Sequence, residues 1–165
     1  MKKLIIAGLS IGLLAGCGST DSKSEAKDQT TQSEKSETST KKTSKHPFPK
    51  DATPVGEGRI TVDTPAGNSE NGNVPVLFSD KNTIMDQIGL DYANFQGDKQ
   101  TFIYVDKIFN ITTQVGELTQ STFSLEEDTL KPGVHTVTAV QFENDDPKGK
   151  VLNFVEAKYE VKEKK

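Results

Sequence analysis

The sequence predicts a mainly β protein, an antiparallel β-sandwich of about seven short strands that follows a signal segment and a polar tether. Apolar and polar residues alternate in several short segments after residue 55, as in Arg59–Thr64. Turn-forming Gly, Asn, Asp and Pro residues separate these segments at short intervals. Residues 18–47 contain almost no apolar side chains. The chain therefore divides into residues 1–16, 17–54 and 55–165.

The N-terminus has the pattern of a secretory signal. Lys2 and Lys3 precede an apolar segment from Leu4 to Leu14. As a helix this segment is about 16 Å long, whereas the hydrocarbon core of a membrane is about 30 Å thick. We therefore predict that residues 1–16 are removed rather than kept as a transmembrane anchor.

The signal ends in Leu14, Ala15, Gly16 and Cys17. This motif resembles the lipobox of bacterial lipoproteins. The resemblance implies that processing enzymes read Leu14, Ala15 and Gly16, cut before Cys17, and leave two acyl chains on its sulfur. Two chains suffice for stable anchoring, and the single cysteine cannot form an internal disulfide. The expected location is the extracellular face of the cytoplasmic membrane; the alternative is an ordinary cleaved signal that releases the protein.

Residues 18–54 are predicted to be a disordered tether. Ala26 is the only residue of the apolar set between Gly18 and Pro47, so this segment has nothing to bury. As a flexible coil, residues 18–54 would have a root-mean-square span of about 35 Å. His46 is predicted to be a solvated linker residue, since a single histidine does not make a metal site.

In the folded part, strands are predicted from the alternation of apolar and polar residues. The predicted strands cover residues 58–64, 74–79, 101–106, 108–113, 122–125, 134–142 and 151–161, with an irregularity near Glu156 in the last. Asp106 and Lys107 are interpreted as the turn between two of them. Residues 82–95 fit either a strand with a loop or a short helix. The predicted core consists of Ile60, Val62, Val76, Phe78, Ile103, Val105, Phe123, Leu125, Val137, Ala139, Phe154 and Tyr159.

The segment from Leu130 to Val137 adds detail to the fold. Leu130, Pro132 and Gly133 precede an alternating strand that contains His135. This pattern is similar to the corner between strands E and F of immunoglobulin-like domains, where a tyrosine bonds upstream backbone. The resemblance implies that His135 makes a similar bond through a ring nitrogen. The whole layout resembles small Gram-positive lipoproteins with one immunoglobulin-like domain, which imply no catalytic motif.

The composition of the folded part argues against several functions. Residues 55–165 hold eighteen acidic and eleven basic side chains, which disfavours nucleic-acid binding. No cysteine follows Cys17, and His135 is the single histidine of this part, so no nucleophilic triad is indicated. Acidic groups at 126–128 and 144–146 lack the spacing of a calcium loop and are interpreted as solvated turns. We expect no enzyme activity, cofactor or metal.

The segment Gly67–Asn73 is the most suggestive stretch for recognition, because Asn68, Asn71 and Asn73 carry adaptable hydrogen-bonding groups on a loop. The expected function is a membrane-anchored, non-catalytic binding or accessory module that meets a surface protein or wall glycan.

Two alternatives stay open at this point. In one, residues 9–16 resemble the octapeptide pheromones released from enterococcal lipoprotein signals. In the other, the chain is an accessory lipoprotein that binds a transported substrate.

Overall fold

A computed structural model describes residues 45–165, which form two β-sheets packed face to face. The strands are β1 (Arg59–Thr64), β2 (Gly67–Asn68), β3 (Val76–Ser79), β4 (Met85–Ala93), β5 (Gln100–Val105), β6 (Ile108–Gln114), β7 (Leu118–Glu126), β8 (Gly133–Phe142) and β9 (Val151–Glu163). Short 3-10 helices cover Glu70–Gly72, Glu127–Leu130 and Glu143–Asp145. Within residues 45–165, no helix is long and apolar enough to cross a membrane. The predicted signal, the lipidation site and the tether up to residue 44 lie outside the described residues.

One sheet has the strand order β2-β1-β4-β7 and the other the order β3-β9-β8-β5-β6. The predicted β-sandwich is confirmed. All strand pairs are antiparallel except β3 with β9, which run parallel. The ambiguous residues 82–95 contain strand β4, which buries Ile88, Leu90 and Tyr92 with the period of two of a strand.

The main core lies between the two sheets. Ten of the twelve predicted core residues are buried there or under the outer face of the larger sheet: Ile60, Val62, Ile103, Val105, Phe123, Leu125, Val137, Ala139, Phe154 and Tyr159. The other two predictions are wrong. Val76 is half-buried and Phe78 is 49% exposed, because β3 turns Leu77 and Ser79 inward instead.

A second apolar cluster lies on the outer face of the five-stranded sheet. It consists of Phe102, Tyr104, Val140, Phe142 and Phe154. Residues 46–54, which we call the arm, cover it: Phe48 and Ala52 pack on the cluster, and Pro49 is buried. The folded part therefore starts at the arm, and the predicted boundary at residue 55 is too late because the tether was extended over residues that pack.

The arm is held by specific contacts. The Tyr104 hydroxyl donates to the carbonyl oxygen of Pro47 at 3.1 Å. The Phe48 ring meets those of Tyr104 and Phe154 edge-on, with centroids 5.2 and 5.9 Å away. His46, predicted to be a solvated linker residue, is half-buried, and its ring lies 4.5 Å from that of Phe109.

The predicted irregularity near Glu156 is displaced. Glu156 pairs regularly with Thr138, and the register shifts instead where Gln141 and Phe142 face Asn153 and Val151. Phe154 and Ala157 suggested a break because they lie on opposite faces of one strand. Both faces are apolar there, since Phe154 packs in the outer cluster and Ala157 against the main core.

Candidate functional site

The corner before β8 is built around His135. Its Nε2 lies 2.8 Å from the carbonyl oxygen of Lys131, which confirms the predicted bond from a ring nitrogen to upstream backbone. Its Nδ1 lies 2.6 Å from Oδ2 of Asp106. The ring stacks on that of Tyr159 with centroids 5.1 Å apart, and Tyr159 in turn donates to the carbonyl oxygen of Thr129 at 2.9 Å.

Asp106 reaches this corner from the turn between β5 and β6. Asp106 and Lys107 have φ angles of 49° and 69°, so both central residues of the turn are left-handed, as two-residue hairpins with a type I′ turn require. The second oxygen of Asp106 accepts the backbone N–H of Thr136 at 2.9 Å. The aspartate therefore ties the β5–β6 turn to the start of β8.

The His135–Asp106 pair has the composition of a catalytic dyad but not its geometry. A general base needs a ring nitrogen that faces the proton to be moved. Both ring nitrogens of His135 face acceptors, the Lys131 carbonyl and the Asp106 carboxylate, and the residue is 8% exposed. The pair therefore stabilises the corner.

The predicted recognition segment Gly67–Asn73 is more ordered than a connecting loop. Gly67 and Asn68 form strand β2 against β1, and Ser69 exchanges two hydrogen bonds with Val62, backbone N–H to carbonyl oxygen at 2.9 Å and Val62 N–H to Oγ at 2.8 Å. The Asn68 side-chain oxygen accepts the N–H of Glu70 at 3.2 Å.

The three asparagines of that segment differ in their exposure to solvent. Asn68 is half-buried, whereas Asn71, which has a φ of 55°, and Asn73 are exposed. The neighbouring surface is acidic: burial raises the pKa of the Asp63 carboxyl, and the charges of Asp91 and Glu70 raise it further. Recognition by this segment stays a prediction.

A groove of about 370 Å³ lies beside the corner, with Leu130, Pro132 and Val161 among its apolar lining. Most of its charged lining residues form ion pairs, and Glu127 is in none of them. Lys131 lies 2.6 Å from Asp128, Lys81 lies 3.6 Å from Glu163, and Lys164 lies 3.8 Å from Asp80. The first pair lowers the pKa of Asp128 and raises that of Lys131. Among residues 45–165, no group of three His, Cys, Asp or Glu side chains is placed to hold a metal.

One side of the sandwich presents two strand edges with almost no charge. β6 and β7 are terminal strands of their sheets. Residues 108–125, which we call the neutral edge, contain one charged side chain, Glu117, although 27% of the chain is charged. The Asn110 side chain donates to the carbonyl oxygen of Ser124 at 3.0 Å and so joins the two strands.

The neutral edge also exposes large apolar side chains. Ile108, Ile111 and Leu118 are 61%, 43% and 86% exposed. Sequence reasoning missed this surface, although its signal is visible as eighteen consecutive residues with one charge. Which strands end a sheet depends on pairing between distant segments, and the alternation of residues does not report it.

The solved structures that are similar to the chain include the following two. One contains fibronectin(III)-like modules of Clostridium thermocellum CbhA. The two chains are 11% identical with a TM-score of 0.36, and the match covers 58% of this chain and 95% of the CbhA chain. The other is the CARDB domain of PF1109 from Pyrococcus furiosus, at 16% identity and a TM-score of 0.37, and covers 65% of this chain and 97% of that one. No protein-family model matches the sequence, and no curated protein matches it significantly.

The two sheets, the corner before β8 and the strand order define this part of the chain as an immunoglobulin-like β-sandwich module. Its most distinctive surface is the neutral edge.

Proposed function

We propose that this chain is a lipid-anchored, non-catalytic binding module that acts at the extracellular face of the cytoplasmic membrane. The acyl chains would be carried by Cys17, and residues 18–45 would let the sandwich meet a partner in the cell-wall zone. The observation that carries the binding role is the neutral edge, because uncharged strand edges with exposed apolar side chains are suited to protein contact.

The anchoring part of the proposal is supported by the sequence. Two lysines, an apolar segment of eleven residues, and Leu14-Ala15-Gly16-Cys17 are arranged as in the signals of bacterial lipoproteins. A tethered module meets other membrane-bound proteins at high effective concentration, so a weak intrinsic affinity is sufficient.

The non-catalytic part is supported by the geometry of the corner. His135 has a carboxylate neighbour, and both of its ring nitrogens are engaged in holding the corner. Beside the neighbouring groove, Lys81 pairs with Glu163 and Lys131 with Asp128. Binding therefore fits these residues better than bond making does.

Chemical cross-linking in intact cells tests the proposal. Wild type and Cys17→Ala are compared after membrane fractionation, and captured partners are identified by mass spectrometry. We expect wild type in the membrane fraction, labelled by radioactive palmitate and with a specific protein captured, and the variant to lose the label. A Cys17→Ala variant that incorporates as much palmitate as wild type would overturn the lipid anchor. Absence of any captured protein from anchored wild type would overturn the protein-binding role.

A wall glycan is the other ligand class to test. Wild type that captures no protein but sediments with isolated wall material would assign the module to a glycan instead. The pheromone hypothesis rests on residues 9–16, which lie outside the described residues, and stays a prediction that synthetic octapeptide tests directly.

A further inference from the structure

We propose that a second copy of this chain docks on the open edge of β7, so that the four-stranded sheets of two molecules join into one continuous sheet through antiparallel β7–β7 pairing. The inference rests on the proposed function, because the lipid anchor confines copies to one membrane surface and raises their local concentration.

The β7 edge is regular and open over most of its length. All nine residues of β7 pair with β4 without a register shift, and β7 has no neighbour on its other side. The Ser124 carbonyl oxygen accepts the side-chain N–H of Asn110 from the facing sheet at 3.0 Å, which shows that this carbonyl points away from β4. Since backbone direction alternates in antiparallel pairs, Gln120 and Thr122 direct their N–H and C=O groups to the same open side.

The neighbouring edge of β6 is protected in ways that β7 is not. Its pairing with β5 is interrupted by a bulge at Asn110, and bulges twist an edge away from further pairing. The arm also begins beside it, with the His46 ring 4.5 Å from that of Phe109. The pairing site is therefore β7, from Leu118 to Thr122.

Charge favours a second copy as the occupant. Residues 55–165 carry eighteen acidic and eleven basic side chains, so most approaches between two copies bring like charges together. Residues 118–125 carry none. Antiparallel self-pairing centred within Leu118–Thr122 therefore sets uncharged side chains opposite one another. The Asp91 carboxylate, which accepts from the Gln120 side chain at 3.1 Å, belongs to β4 and lies one strand away from the contact.

The same pairing covers an exposed apolar residue. Leu118 is 86% exposed at the start of β7, and a symmetric contact would cover it in both molecules. A contact of this kind is isologous: each copy uses the same patch, and the assembly closes as a dimer without free β7 edges.

Cysteine cross-linking of the full chain in membranes tests the pairing. Gln120→Cys introduces a thiol on the exposed face of β7, and Gln87→Cys places one on the exposed face of β4 in the middle of the same sheet. With a short bismaleimide we expect a product of twice the chain mass from Gln120→Cys and at least tenfold less of it from Gln87→Cys. Equal yields from the two variants, or Gln120→Cys linked to another protein instead of itself, would overturn the proposal.

A charge variant gives an independent measurement. In detergent-solubilised full chain, sedimentation velocity should show a dimer that Thr122→Lys weakens at least tenfold and that Gln87→Lys changes less than twofold. A wild-type chain that is monomeric in detergent and shows no Gln120→Cys product in membranes overturns the pairing and leaves the lipid anchor intact. A chain that pairs but is found in the soluble fraction overturns the anchor and leaves the pairing intact.

Discussion

Asp106 lies in the turn between β5 and β6, His135 lies near the start of β8, and a contact of 2.6 Å joins a carboxylate oxygen of the first to Nδ1 of the second. The other oxygen of Asp106 accepts the N–H of Thr136 at 2.9 Å, and the other nitrogen of His135 bonds the Lys131 carbonyl at 2.8 Å. One aspartate thereby connects the β5–β6 turn, the start of β8 and the corner before it.

Asp106→Ala should destabilise the domain by about 2 kcal/mol, because two hydrogen bonds are lost and Nδ1 of His135 is left without its partner. Asp106→Asn should cost less, since asparagine also adopts the left-handed conformation that this turn needs. Urea unfolding measures both. Asp98→Ala removes an exposed aspartate bonded to Lys99 and should leave the stability nearly unchanged. Equal losses for Asp106→Ala and Asp98→Ala would contradict a role for Asp106 in the corner.

Phe48→Ala should destabilise the domain by about 2 kcal/mol, roughly half the usual cost for a fully buried phenylalanine, because Phe48 is half-buried on the outer cluster. Phe78→Ala is the matched control. Phe78 is 49% exposed on β3, so its loss should cost about 0.5 kcal/mol. Thermal unfolding compares the two. A larger loss at Phe78 than at Phe48 would mean that the arm does not pack on the sheet.

Thr101→Val should stabilise the domain by about 1 kcal/mol, because the Thr101 hydroxyl is buried and has no hydrogen-bond partner among the described residues. The shapes of the two side chains are similar, so packing in β5 is kept. The same substitution at Thr64 should have the opposite sign, since Thr64 Oγ1 donates to the Val76 carbonyl at 2.9 Å. Denaturant titration measures both variants, and a destabilised Thr101→Val would show that its hydroxyl is satisfied.

All three tyrosines should resist ionisation in the folded state. Burial raises the pKa of Tyr104 to about 12 and also raises the pKa values of Tyr92 and Tyr159, the last helped by the charge of Asp106. Because the pKa is higher in the folded state, these tyrosines contribute folding stability that is complete below about pH 10, near the pKa of tyrosine in the unfolded chain. That stability is lost as the pH rises toward 12. The absorbance of tyrosinate should therefore appear together with alkaline unfolding, whereas chain unfolded in urea should titrate near pH 10. Tyrosinate formed at pH 10 in folded protein would contradict this.

Several features of the fold were predictable from sequence because their signals are local. The turn at Asp106 and Lys107 and the strand from Gly133 to Phe142 follow from alternation and turn chemistry over a few residues. The bond from His135 to the Lys131 carbonyl spans four residues and was predicted from the corner pattern. The bonding partner on the other nitrogen, Asp106, is twenty-nine residues away in sequence and gave no such signal.

Other features depend on which segments meet. Phe78 looked like a core residue, but the parallel pairing of β3 with β9 turns Leu77 inward in its place. Phe48 looked like part of a tether, because nothing in residues 46–54 indicates that the outer face of β5 and β8 is apolar and needs cover. The candidate site was missed for the same reason, since the openness of the β7 edge follows from strand order.

The sequence by itself determined the signal pattern that ends at Cys17, the positions of most strands and the turn and corner chemistry, because each depends on neighbouring residues. The tertiary structure decided which faces are buried, where the folded part begins and which strand edges stay open. Those outcomes depend on long-range pairing. A register shift of one residue exchanges the buried face for the exposed one, and the choice of neighbouring strand decides which edge stays open.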